Sequence, residues 1–169
     1  MPMSRTRISA APPSGFRQSR ATERRRTMCD ICDGMSIEEA DARTDQCIRD
    51  YGRQVLFVEP GRYDQPFAYT IGLSLVGHPE FLVRGLGNQD SVQMLNGLSG
   101  AVLEHNEVFA HGHTCRWDED TILYFAKISS RIGHEAPWAY SRYGESMSLL
   151  EVLFLGRDLP YSYLSRRIN

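Results

Sequence analysis

The chain has 169 residues, 41% of them hydrophobic, with 19 Lys+Arg against 21 Asp+Glu for a formal charge of −2. That length and apolar share suit one globular domain able to bury a core, and they exclude collagen, coiled coil and wholesale disorder. No apolar run approaches the ~18 residues needed to cross a bilayer, and no apolar stretch follows the basic N-terminus as a secretory signal requires, so a cytoplasmic protein is expected.

Charge is unevenly placed along the chain. Residues 1–27 carry Arg5, Arg7, Arg17, Arg20, Arg24, Arg25 and Arg26 against Glu23 alone, a charge of +6, which leaves −8 for the remainder. This leader, with Pro12-Pro13-Ser14-Gly15 and few large apolar residues, lacks the means to nucleate a core and is expected to be disordered. It reads as a dispensable extension, with Met28 as the natural start, or as a basic arm for nucleic acid or acidic partners, or as an Arg-rich transit peptide. The acidic body is poorly suited to a phosphate backbone, so nucleic acid is not an expected partner except through the leader.

Ser36 and Glu39 form a capping box, and Ile37, Ala40, Thr44, Cys47, Ile48 and Tyr51 follow at helical spacing until Gly52. Gln54 to Glu59 reads as a strand ending at Pro60-Gly61, and Phe67 to Leu73 as its hairpin partner. Phe81 to Leu86 is a third strand beyond the loop at Gly77-His78-Pro79. Asp90 is the expected cap of a helix bearing Val92, Leu95, Leu98, Val102 and Leu103. Strands are expected over Val108 to Trp117 and Thr121 to Ile128, then a short helix near Ala136 to Tyr143 and a last strand, Ser148 to Leu155. The order lacks βαβ alternation. It predicts an α+β fold over residues 28–169, a mixed or mostly antiparallel sheet with two main helices packed on it, with a partly closed split-barrel-like sheet as the alternative.

Two segments carry a family likeness. Cys29-Asp30-Ile31-Cys32-Asp33-Gly34-Met35-Ser36, and Phe67-Ala68-Tyr69-Thr70-Ile71-Gly72-Leu73 with Gly77-His78-Pro79-Glu80 and Gly85-Leu86, resemble a bacterial family known as a domain of unknown function, number four-two-six-two. The resemblance runs from Met28 to about Pro160. It implies a compact, single-domain bacterial protein, and assigns it no activity.

Three groups of residues could carry chemistry. Cys29 and Cys32 form a C-x-x-C pair, whose spacing presents two thiolates to one ion, and also suits thiol redox. His111, His113 and Cys115, two apart on a strand, would line one face and complete a zinc site. The second group is Tyr69, Thr70 and Gly72 with His78 and Glu80. His78 and Glu80 at a loop could form a proton-transfer pair, and Tyr69, Thr70, His78 and Glu80 are expected to line one hollow. The third is Arg84, Thr70 and the helix start at Asn88-Gln89, which could hold the phosphate of a flavin or another cofactor, although no glycine-rich phosphate motif is present. Zinc is the first cofactor candidate and flavin the second. The leading functional reading is a noncatalytic module for a small molecule or protein partner; the competing one is a small enzyme using His78 and Glu80.

Overall fold

A computed structural model describes residues 35–61 and 65–155. The basic leader, Met28 and the Cys29/Cys32 pair lie outside the described residues. The fold is α+β, an open six-stranded mixed sheet with helices packed on it.

The first helix, α1 (Ile37–Tyr51), begins where the sequence places it. Ser36 Oγ accepts the Glu39 amide at 3.1 Å, and Glu39 Oε2 accepts the Ser36 amide at 2.9 Å, which satisfies two donors that a helix start otherwise leaves open. Gly52 ends it in the left-handed region and donates its amide to Ile48 O. The hairpin follows as β1 (Gln54–Val58) and β2 (Phe67–Ile71), antiparallel from Gln54 opposite Ile71 to Val58 opposite Phe67. A short 3-10 turn, Leu73–Val76, leads into β3 (Glu80–Arg84).

The second long helix, α2 (Asn88–His105), starts two residues before the expected Asp90 cap. Gly87 is its N-cap, and the Ser91 amide already closes the first turn onto Gly87 O. Asp90 therefore lies within the first turn, where its charge complements the helix dipole rather than capping it. Next, β4 is only Thr114–Arg116 instead of the expected Val108 to Trp117. The chain turns at His111-Gly112, Gly112 having φ +86°, so a continuous strand is excluded there. Beyond β5 (Ile122–Ile128) lie α3 (Ile132–Glu135), which the sequence reading lacks, and α4 (Pro137–Tyr143). The last strand, β6 (Leu149–Leu155), completes the sheet.

The strand order is β1-β2-β3-β6-β5-β4. The final strand is thus inserted at the centre, parallel to β3 and antiparallel to β5. Its sequence, LLEVLFL, suits a strand buried on both faces. β1 and β4 occupy opposite edges of an open sheet, so the split-barrel alternative does not describe the fold.

Each face of the sheet carries its own apolar layer. Ala68, Phe81, Val83, Leu150, Val152, Leu123 and Phe125 pack with Met94, Leu95, Leu98 and Val102 of α2. Tyr69, Ile71, Leu82, Ile128 and Leu149 pack with Ala136 and Ala139 on the other face, joined by Ile48 of α1. Arg142 of α4 binds Asp41 and Asp45 of α1, each at 2.6 Å, and ties the two helices together.

Candidate functional site

The β2–β3 connection is built around one buried carboxylate. Glu80 is fully buried, and its Oε1 accepts the amides of Gly72 (3.0 Å) and Ser74 (2.9 Å) and the Ser74 hydroxyl (2.9 Å). Its Oε2 accepts the Thr70 hydroxyl at 2.7 Å. Thr70 Oγ1 in turn accepts the Phe81 amide at 2.9 Å. The β2–β3 register stops at Tyr69 opposite Leu82, and the Thr70 side chain then takes the place of a strand carbonyl. Burial pushes the Glu80 carboxyl above its ordinary value, while the hydrogen bonds from Thr70, Ser74 and Gly72 pull the other way.

Gly72 makes this loop feasible. Its φ is +134°, and a Cβ there would lie 2.5 Å from Gly52 O and 2.9 Å from Arg53 Cα. The bend after α1 and the loop after β2 touch backbone to backbone, which requires a residue without a side chain.

His78 closes the loop on its other side. Its Nδ1 donates to Pro79 O at 2.7 Å, and its Nε2 accepts the Phe109 amide at 3.0 Å. These partners select the neutral tautomer with the proton on Nδ1. The ring lies against Phe81 and Phe109, at centroid separations of 5.2 and 6.0 Å. Burial holds its pKa below the ordinary value of 6.5, opposed by the bond to Pro79. Both ring nitrogens are therefore occupied by backbone groups.

The four residues expected in one hollow are divided. Thr70 and Glu80 are joined, whereas His78 belongs to the aromatic layer with Phe81 and Phe109. Tyr69 faces the opposite layer, as strand alternation requires, and its hydroxyl accepts the Trp138 amide at 3.4 Å. Burial pushes that phenol up to about 12. The bonds of His78 and of Glu80 go to other groups, so the expected proton-transfer pair is not assembled in this arrangement.

Arg84 pairs with Glu135, lies 3.3 Å from Glu151 and stacks over the Phe67 ring. It alternates with Val83, whose side chain packs in the α2 layer, so Arg84 is turned to the face opposite α2. Asn88 is exposed at the start of α2, beside a shallow depression shared with Gln89, Val92 and Gln93. The expected phosphate group of Arg84, Thr70 and Asn88 is thus spread over separate surroundings.

The proposed second half of a zinc site is also dispersed. His111 sits in the turn and its Nδ1 accepts the Lys127 amide at 3.2 Å; His113 is exposed. Cys115 points into the core, where burial pushes its thiol up to about 11. Among the described residues no group of three or more His, Cys, Asp or Glu is placed to hold a metal ion.

Sequence reasoning missed Ser74, the residue that supplies two of the four donors to Glu80. The available signal was an acid at the start of a strand, after a short loop bounded by Gly72 and Gly77 and rich in groups able to donate to it. It also missed the outward side of that loop. Leu75 and Val76 are 65% and 59% exposed, and Val108, next to the Phe109 amide that binds His78, is 69% exposed.

No curated protein and no solved structure matches the chain. A family model described as a domain of unknown function (DUF4262) matches residues 47–158, which takes in the Glu80 loop, both long strands β5 and β6, and all of α2. The match covers most of the chain, which therefore belongs to the DUF4262 family.

Proposed function

We propose that this protein is a noncatalytic cytoplasmic module that binds a protein partner through the loop between β2 and β3. One observation carries the reading: a fully buried carboxylate with four donors is spent on holding a loop whose outermost side chains are the exposed aliphatic pair Leu75-Val76. Large apolar groups on a rigid support lose little conformational entropy on association and gain by leaving water. Val108, a third exposed aliphatic residue, precedes Phe109, whose amide bonds His78 at the end of the same loop. The same bonds that make the loop rigid occupy His78 and Glu80, which weighs against the enzyme reading. Unpaired thiols at Cys47 and Cys115 suit a reducing compartment.

Photo-cross-linking in living cells tests this directly. A cross-linker at position 76 should yield a discrete protein adduct, and one at exposed position 38 on α1 should not. Adding Leu75→Ser and Val108→Ser should abolish the adduct without changing the melting temperature. No adduct from position 76, or equal labelling from both positions, overturns the reading.

A further inference from the structure

The two edges of the sheet are treated differently. β4 has three residues, with Arg116 at its end and Asp118-Glu119-Asp120 following, the short and charged form that blocks pairing with another chain. β1 has five residues, QVLFV, with neither charge nor proline and with unbroken one-to-one pairing to β2. Among the described residues, no backbone group outside β2 hydrogen-bonds to it. All five of its residues are half-buried, Val55 and Phe57 against the α2 layer and Leu56 and Val58 against the other. Each face therefore offers an apolar layer that stops at this edge.

We infer that the outer edge of β1 is a homodimer interface, where a second copy adds its own β1 antiparallel about a twofold axis at Leu56 and continues the sheet through both copies. The strand is self-complementary in that register. Val55 falls opposite Phe57 of the second copy and Leu56 opposite its own equivalent, extending the apolar layer on each face. Arg53 falls opposite Glu59 of the second copy, and the twofold repeats the pair, so both ends of the interface are closed by opposite charges. The two residues also share a face. Arg53 is held towards α2 by Asn96, through Oδ1 at 3.2 Å and the main-chain O at 3.3 Å, and Glu59 follows Phe57 at the alternating position. Charge complementarity thus selects a second copy over an unrelated strand, for which the flanking charges would need a separate match. This inference is independent of the loop that carries the functional proposal.

The test is the mass of the full chain in solution, by light scattering across a dilution series. A concentration-dependent dimer is expected. Glu59→Arg should shift it to monomer by setting two arginines opposite each other at both ends, and Arg53→Glu should do the same with two glutamates. An equimolar mixture of the two monomeric variants should recover a dimer. The acid introduced at position 53 of one variant then meets the base introduced at position 59 of the other, while the native Arg53 and Glu59 that remain face each other at the opposite end. Since Arg53→Glu also removes the bonds to Asn96, hydrogen exchange on the unaltered chain gives a second reading: β1 amides should exchange more slowly as concentration rises. A monomer at every concentration, a dimer indifferent to Glu59→Arg, or β1 exchange independent of concentration overturns the inference.

Discussion

The carboxylate of Glu80 accepts the amide of Gly72 at 3.0 Å, binding the first residue of β3 to the residue that leaves β2. This bond needs Gly72 in a conformation open only to glycine, and it needs a charge acceptor without exposure to water. Local backbone freedom and a buried acid are thus parts of one loop.

Removing the acceptor should be costly. Glu80→Ala leaves the Gly72 and Ser74 amides and two hydroxyls without their partner, and an expected loss of about 3 kcal/mol follows from unpaired buried donors. Glu80→Gln keeps one carbonyl oxygen for Gly72 and Ser74 and should lose only about 1 kcal/mol. Urea unfolding midpoints of the two variants measure the difference, with Ala the weaker.

The two titrating groups of the loop should respond to pH with opposite signs. His78 has a folded pKa below its ordinary 6.5, so the unfolded chain takes up the proton first, and its contribution to stability is lost as pH falls below about 6.5. Glu80 has a folded pKa above its ordinary 4.5, so its contribution is present below that value and declines as pH rises through the folded pKa. An NMR titration should place the His78 midpoint below 6.5. In Glu80→Gln the decline on the rising side should disappear from the stability profile.

Glycine substitutions should separate backbone from side-chain crowding. Gly72→Ala would set its Cβ 2.5 Å from the Gly52 carbonyl oxygen at φ +134°, and an expected loss of about 3 kcal/mol or more comes from clash and strain combined. Gly97→Ala meets only the rim of the Trp117 ring, 2.7 Å from Cη2, and a helical alanine recovers about 1 kcal/mol of propensity. Thermal melts should show a large drop for the first and little change for the second.

Arg142 should act as the fastener between α1 and α4. Its guanidinium is mostly sheltered, while Asp41 and Asp45 are about half exposed, so solvent screens part of the attraction. Arg142→Ala is expected to cost about 1 to 2 kcal/mol, and Arg142→Lys somewhat less because one ammonium replaces a two-pronged contact. Hydrogen exchange should report faster opening of α1 in both variants.

Much of the fold was legible because it rests on local rules. The Ser36–Glu39 box, the left-handed Gly52 and the β1–β2 hairpin each follow from residues a few positions apart. The errors arose where neighbours could not signal the outcome. Gly112 breaks the expected long strand at a turn, and α3 is preceded by Arg131 in the left-handed region, a conformation its residue type does not signal. The sequence places Tyr69, Thr70, His78 and Glu80 around one hollow with His78 and Glu80 as a pair, whereas in the structure Thr70 bonds Glu80 and His78 bonds backbone groups. Strand alternation turns Phe81 away from Glu80, and the loop before β3 lays the His78 ring against Phe81 and Phe109, while Glu80 reaches back to Thr70, Gly72 and Ser74.

The order of residues alone determined the α+β class, the two long helices and the family, since periodicity, caps and short motifs are read within a few turns of chain. Tertiary structure alone decided that the last strand lies at the centre, that β1 and β4 are the edges, and that His78 and Glu80 are bound apart. Those outcomes depend on contacts between distant segments, whose pairing is set by how whole apolar faces are buried and how each buried polar atom finds its partner.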